Sequence, residues 1–404
     1  MISFSRLLNN NKQIKSFKEE EELKKVSLIL ALVLAFSLVF TGCSKPAEVA
    51  DTIKVGVFEP ITGANAGGGA LEVEGIKLAN KLYPEVLGKK VELVIVDNKS
   101  EKVDAASAAA RLVEKEKVVA IIGSWGSSLS MAAGDIVKNA KIPTVGASCT
   151  NPLVTLNNDY YFRVCFIDPF QGTVMANYAF NKLGAKKAAI IQEVSNDYSV
   201  GLAKFFVDAF KELTGDDNCI VATSNYNTGD QDFTAQLTNI KAANPEVIFA
   251  PGNFTESALL ISQAKQLGIN VPIIGGDTWE TPEFIDIGKD AVEGAVFSTF
   301  FATEQPITNE SKVFLDEYRK EFKKEPAAVT ALGYDAYILI LDAIERANSA
   351  EPTAIRDEIA KTVNFEGSAG FVTLDENGDA VKDAVIKVVK DGKFTYMDTV
   401  KPIE

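Results

Sequence analysis

Short apolar runs alternate with segments of helical period along most of this chain, and that alternation restricts the fold more than any other feature. Residues 53–57, 91–97, 118–122 and 142–146 read as strands buried on both faces. After the third, Leu129, Ala132, Ala133, Ile136, Val137 and Ala140 recur on one helical stripe, with Ser127 and Ser128 read as its N-caps. A strand at 161–167 follows, and the alternation then restarts. Its strands fall at 188–192, 219–223, 247–250, 272–275 and 295–300. Two βα runs of similar length imply an α/β chain with two similar lobes, each a parallel sheet covered by helices. Long helices near 309–322, 328–346 and 352–361 come next, then strands at 371–374, 384–389 and 393–397.

The N-terminus carries a different signal. Residues 26–40 are apolar except for Ser27 and Ser37, follow Lys24 and Lys25, and precede Thr41-Gly42-Cys43. As a helix this run would span roughly 22 Å, short of a ~30 Å hydrocarbon core. A basic flank, a short apolar core and small residues before a cut are the marks of a secretory signal. Residues 1–42 are therefore read as a signal peptide and 43–51 as a tether. The cysteine after Gly42 resembles a bacterial lipobox, which implies lipid on Cys43. Phe40 departs from the usual aliphatic residue.

Composition narrows the chemistry. With 55 Asp and Glu against 41 Lys and Arg, the chain carries a net charge of −14 and is a poor partner for nucleic acid. Histidine is absent, which removes Ser-His-Asp catalysis and histidine–metal sites. Cys149, Cys165 and Cys219 show neither disulfide nor zinc spacing and read as core or loop thiols. Asp375-Glu376-Asn377-Gly378-Asp379 is half of a calcium loop without its terminal ligands, and reads as a turn with Gly378 at positive φ. No cofactor is implied. The chain reads as a binding protein, not an enzyme.

In open α/β sheets, ligands bind beyond the carboxyl ends of the strands. The loops expected there are 59–70, 124–128, 147–151, 195–199, 251–256 and 276–280. The first is glycine-rich and lacks the Gly-Lys-Ser/Thr of a phosphate loop. It reads either as a flexible connection or as backbone approaching a ligand. The first-lobe loops offer glycines, hydroxyls and helix N-termini, which suit an anion. The second-lobe loops offer Tyr198, Phe254 and Trp279 with two carboxylates, Glu256 and Asp277, which suit an ammonium group. An anion seat facing a cation seat matches an α-amino acid.

From 53 to 397 the chain resembles the leucine/isoleucine/valine-binding protein family, the type I periplasmic solute-binding proteins of ABC transporters. The resemblance rests on IKVGVFEPITG at 53–63, GIKLA at 75–79, AIIGSWGSS at 120–128, IPTVGASCTNP at 142–152 and NDYSVGLA at 196–203. It continues in GDQDFTAQL at 229–237, GGD at 275–277, EGAVFST at 293–299 and GYDAY at 333–337. It implies two Rossmann-like lobes joined by a three-segment hinge, with crossovers near 166–168, 299–303 and 368–371. Lobe 1 would hold 52–167 and 302–368, and lobe 2 would hold 168–301 and 369–404. The ligand carboxylate would meet Ser127 and the Ser148, Cys149, Thr150 loop, while Tyr198 and Asp277 would serve the ammonium. Gly68 stands where the family has an aromatic residue, and Asn253 or Phe254 where it has a second tyrosine. Trp125 and Trp279 are expected to fill the changed pocket. Leucine, isoleucine or valine is the first expectation. An aromatic amino acid, an amide or an organic acid is the alternative, as is a sensory role. The resemblance further implies a permease and an ATPase as partners. A monomer, lipid-anchored through Cys43, is expected on the extracytoplasmic face.

Overall fold

The computed structural model describes residues 52–402. The expected signal peptide at 1–42, the expected tether at 43–51 and the expected lipidation of Cys43 fall outside the described residues. No helix among the described residues is long and apolar enough to cross a membrane.

The first sheet contains β1 (Thr52–Glu59), β2 (Glu85–Val86), β3 (Lys89–Asp97), β4 (Ala120–Ile122), β5 (Thr144–Gly146) and β6 (Tyr161–Arg163). Their spatial order is β2-β3-β1-β4-β5-β6. All pairings are parallel except the β2–β3 hairpin. Val55, Val57, Ile121, Ile122 and Val145 are fully buried, as strands covered on both faces require.

The second sheet holds β7 (Ala188–Glu193), β8 (Ile220–Tyr226), β9 (Val247–Phe249), β10 (Ile273–Gly275) and β11 (Val296–Thr299). A small separate sheet follows: β12 (Phe365–Gly367), β13 (Gly370–Leu374) and β14 (Ala380–Val381). The chain then returns to the second sheet as β15 (Ala384–Lys390) and β16 (Lys393–Val400), giving the order β16-β15-β11-β10-β9-β7-β8. β15 runs antiparallel to β11 and to β16.

Between strands lie α1 (Ala66–Leu82), α2 (Lys102–Arg111), α3 (Ser127–Ala140), α4 (Asp168–Asn177), α5 (Asp197–Thr214), α6 (Thr234–Ala243), α7 (Phe254–Gln266) and α8 (Pro282–Gly288). After β11 come α9 (Asn309–Phe322), α10 (Ala328–Ala347) and α11 (Pro352–Ile359). α10 crosses back and packs along α1. Their backbones nearly touch at Gly75, where a Cβ would sit 1.9 Å from the Thr330 carbonyl oxygen.

Two sequence expectations shift. α1 begins at Ala66, so the glycine run 67–69 forms its first turn, with the Gly68 and Gly69 N–H groups bonded to the Asn65 carbonyl at 3.1 and 3.2 Å. Without side chains these residues let Pro60 and Trp125 pack directly on the helix backbone. The strand expected at 161–167 ends at Arg163, and the remaining residues lead into α4.

Arg163 shows why the chain bends there. Its side chain is fully buried, with Nε donating to Asp379 Oδ1 at 2.7 Å. Nη1 donates to the carbonyls of Cys149 at 2.5 Å and Asn151 at 2.9 Å, and Nη2 to Thr155 Oγ1 at 2.7 Å. One guanidinium thus ties the 148–151 loop to the turn at 375–379. That turn has Gly378 at φ +83°, and Asp375 Oδ1 caps its N–H groups. Asp379 serves Arg163. Arg163→Met leaves that carboxylate buried without its cation. Denaturant unfolding is expected to show a loss of about 3–5 kcal/mol. A loss below about 1 kcal/mol, the scale of an exposed pair, would mean the loop is held by other contacts.

Candidate functional site

Loops from the carboxyl ends of both sheets line one cavity of about 360 Å³. From the first sheet come Asn65 after β1, Lys102 and Val103 after β3, residues 125–129 after β4, and Ser148 after β5. From the second come Glu193 at the end of β7, Ser195, Asn196 and Tyr198 beyond it, Thr228 after β8, Asn253 after β9, and Asp277 and Thr278 after β10.

The first-sheet wall is the head of α3. Gly126, not a serine, occupies its N-cap, and no side chain caps the helix. Ser127 and Ser128 are its first two residues, so their hydroxyls are free for other contacts. Ser127 Oγ accepts from the Asn151 N–H at 3.1 Å. Ser128 Oγ accepts from the Asp197 N–H at 2.9 Å and donates to Asp197 Oδ2 at 2.7 Å. The first N–H groups of a helix have no carbonyl from an earlier turn and sit at the positive end of its dipole. Ser148 Oγ is hydrogen-bonded to Glu72 Oε1.

The second-sheet wall is organised by Asp277, which is 2% exposed. Its Oδ1 accepts from Tyr198 Oη at 2.9 Å and from Gln171 Nε2 at 2.8 Å. Burial pushes the carboxyl up to about 6, opposed by these two donors. Both hydrogen bonds end on one oxygen, which leaves Oδ2 for a ligand. Beside it, burial raises Glu193, which is held by Thr228 and by Asn196 at 3.1 Å.

Several polar contacts join the two walls. Asn253 Nδ2 donates to Asn65 Oδ1 at 3.0 Å. Asp197, already bonded to Ser128, also takes the Lys102 ammonium at 2.8 Å.

Of the residues singled out from sequence, Trp125, Ser127, Ser148, Tyr198, Asn253 and Asp277 line the cavity. Gly68, Cys149, Thr150, Phe254 and Trp279 are not among its lining residues. A Cβ on Gly68 would lie 2.2 Å from the Trp125 ring, so the glycine makes room for the indole. Phe254 packs edge-on against that indole, with ring centroids 6.2 Å apart. Trp279 is fully buried and stacks on Phe284 at 4.9 Å, in space that Gly275 leaves open. Burial pushes the Cys149 thiol up to about 11, and the three described cysteines are free. The Thr150 hydroxyl is buried without a partner. Glu256 is also buried away from the cavity, accepting from the Gly229 N–H at 2.8 Å.

Sequence reading missed Asn65, Gln171, Glu193 and the carboxyl groups of Glu59, Glu72 and Asp168. One signal was available: Glu72 shares a helical stripe with Ile76 and Ala79, so it falls on the apolar face of α1. Glu59 Oε2 accepts from the Trp125 N–H at 2.6 Å. Burial pushes Glu72 up to about 8, and Asp168 likewise to about 8. Both Asp168 oxygens are buried without a partner.

Two α/β lobes whose strand ends enclose a polar cavity have the type I periplasmic binding protein fold. The chain belongs to the periplasmic binding protein family, whose model matches residues 52–393, and within it to the Leu/Ile/Val-binding group. It is 31% identical over 367 residues to the Leu/Ile/Val-binding protein BraC3 of Rhizobium johnstonii, covering 88% of this chain and 94% of that one. The solved leucine binding protein LivK from Thermotoga maritima superposes with a TM-score of 0.84 at 45% identity, covering 87% and 99%. The branched-chain substrate binding protein LivJ from Streptococcus pneumoniae, in complex with isoleucine, gives 0.81 at 34%, covering 87% and 100%.

Gly68→Ala would force the indole of Trp125 towards the cavity. Overpacking of this kind costs about 1–3 kcal/mol. Ligand affinity, read by calorimetry, is expected to fall at least about tenfold while circular dichroism stays unchanged. Undiminished affinity would show that Trp125 does not set the cavity wall.

Proposed function

We propose that the chain captures an α-amino acid, with a branched-chain side chain, outside the cytoplasm and delivers it to an ABC importer. One observation carries this reading: a buried carboxylate with a free oxygen, Asp277, and the hydroxyl-bearing head of α3 stand on opposite walls of one cavity. The ligand ammonium would sit on Asp277 beside Tyr198. Its carboxylate would sit on Ser127, Ser148 and the first N–H groups of α3, where the dipole favours an anion. The side chain would lie against Trp125, Leu129 and Val103. The volume suits a small ligand, and the names of the relatives favour leucine, isoleucine or valine.

The lobes proposed are 52–167 with 302–368, and 168–301 with 369–404, closing about the crossovers near 166–168, 299–303 and 368–371. Ligand that touches both lobes binds the closed form better and so selects it. The remaining proposals are lipid anchoring through Cys43, action as a monomer, delivery to a permease with its ATPase, and binding without catalysis.

Titrating the soluble form with the twenty amino acids while following tryptophan fluorescence tests the reading. A saturable response to aliphatic residues supports it, and silence from folded protein would end it. Asp277→Ala is expected to weaken binding by at least about a hundredfold, because removing one partner of a buried charge pair costs about 2–5 kcal/mol. The pH dependence has a definite sign. An ammonium ligand favours the ionised carboxylate, so the bound group titrates below the free one, which titrates near 6. Affinity should therefore fall as pH drops below about 6, by up to about tenfold per unit. An affinity constant from pH 7 to 4.5 would remove Asp277 from the ammonium seat.

A further inference from the structure

Asp197 is the first residue of α5, on the second-sheet wall, yet it is held from the first-sheet wall. Its N–H donates to Ser128 Oγ at 2.9 Å, and the Ser128 hydroxyl donates back to Asp197 Oδ2 at 2.7 Å. The same oxygen takes the Lys102 ammonium at 2.8 Å. The Asp197 carbonyl accepts from Asn151 Nδ2 at 2.8 Å. One residue is thus reached from three points of the facing wall: the head of α2, the head of α3 and the loop after β5.

The arrangement follows from what helix ends require. The first N–H groups of α5 have no carbonyl from an earlier turn. Asn196 Oδ1 accepts that of Tyr198 at 3.1 Å, and Ser128 of the facing wall accepts that of Asp197. Lys102 is the first residue of α2, where a cation opposes the helix dipole, and the Asp197 carboxylate offsets it. The first-sheet half is held in place beforehand: Asn151 Oδ1 accepts from the Leu153 N–H at 2.9 Å, and its carbonyl from Arg163 at 2.9 Å. The bonded residues also adjoin both proposed ligand seats. Ser128 follows Ser127, and Asp197 precedes Tyr198, whose hydroxyl holds Asp277 at 2.9 Å. Asp197 itself is not among the residues that line the cavity.

We propose that Asp197 is a positioning residue that clasps the two walls over the ligand and sets how long a bound amino acid is retained. The inference rests on the amino-acid reading and on the lobe closure proposed with it. With the walls apart, Asp197, Lys102 and Ser128 turn to water, so the clasp adds nothing to capture. With the walls together it fixes both seats, and release must first break it. The Lys102 and Asp197 side chains are 54% and 43% exposed, so salt weakens their pairing. Each bond alone is weak, which keeps release possible.

Rapid filtration with radiolabelled leucine, which gives association and release rates separately, tests it. Asp197→Ala is expected to release leucine at least about tenfold faster, while the association rate changes by less than about twofold. Lys102→Met should also speed release, and should add nothing in the Asp197→Ala background, because both act through one pair. Raising salt from about 0.02 to 0.5 M should speed release from wild type more than from either variant. An unchanged release rate in Asp197→Ala, a loss confined to association, or single effects that multiply in the double variant overturns the proposal while leaving the amino-acid reading intact. Should Asp197→Ala not fold, Lys102→Met decides: faster release at an unchanged association rate supports the clasp, and unchanged release overturns it. Folded wild type that binds no leucine would instead defeat the functional reading.

Discussion

A carboxylate held out of water needs a compensating charge or hydrogen bonds, and the cleft is built around that requirement. Asp277 lies on the floor of the second-sheet wall with two donors on one oxygen and none on the other. Tyr198 and Gln171 are therefore more than lining: they keep the group close to ionised at neutral pH despite burial. A ligand that brings an ammonium completes what those two begin. On that proposal a neutral ligand would be disfavoured, because it would leave the charge buried and unmatched.

On the opposite wall Lys102 is engaged by Asp197. Hydroxyls and the head of α3 offer donors there, and the Arg163 guanidinium is spent behind the wall in holding the 148–151 loop. On the proposed reading a ligand carboxylate would meet hydroxyls and helix-end dipoles there. The contacts named across the cavity are polar pairs together with the edge-on packing of Phe254 on Trp125. Contacts of this kind are individually weak. Under the proposed closure, a ligand bridging both walls would favour the closed form by touching both.

Most of the architecture was legible in the sequence because parallel strands buried on both faces are continuous apolar runs. The runs at 53–57 and 247–250 could be placed to within a few residues. The start of α1 was not, because three glycines in a row have the pattern of a loop; the space taken by Trp125 at Gly68 and by Pro60 at Gly69 shows their use. Asp277, Tyr198 and Ser127 were legible since each follows a strand directly. Trp279 follows one too, yet turns back over the sheet into the gap left by Gly275, a choice that depends on packing. Glu72 lies inside α1 two residues from Glu74, and only its stripe with Ile76 and Ala79 separates the buried carboxyl from the surface one.

The central claim is that two opposite charges on one ligand are held by two different lobes. Calorimetric titration with leucine, 4-methylpentanoate and 3-methylbutylamine, which share one side chain, tests it most directly. The account predicts saturable one-to-one binding of leucine, with each single-charge analogue weaker by at least about a hundredfold, the scale of a buried charge partner. Equal affinity for 4-methylpentanoate would contradict it, since the Asp277 wall would then have no role in recognition.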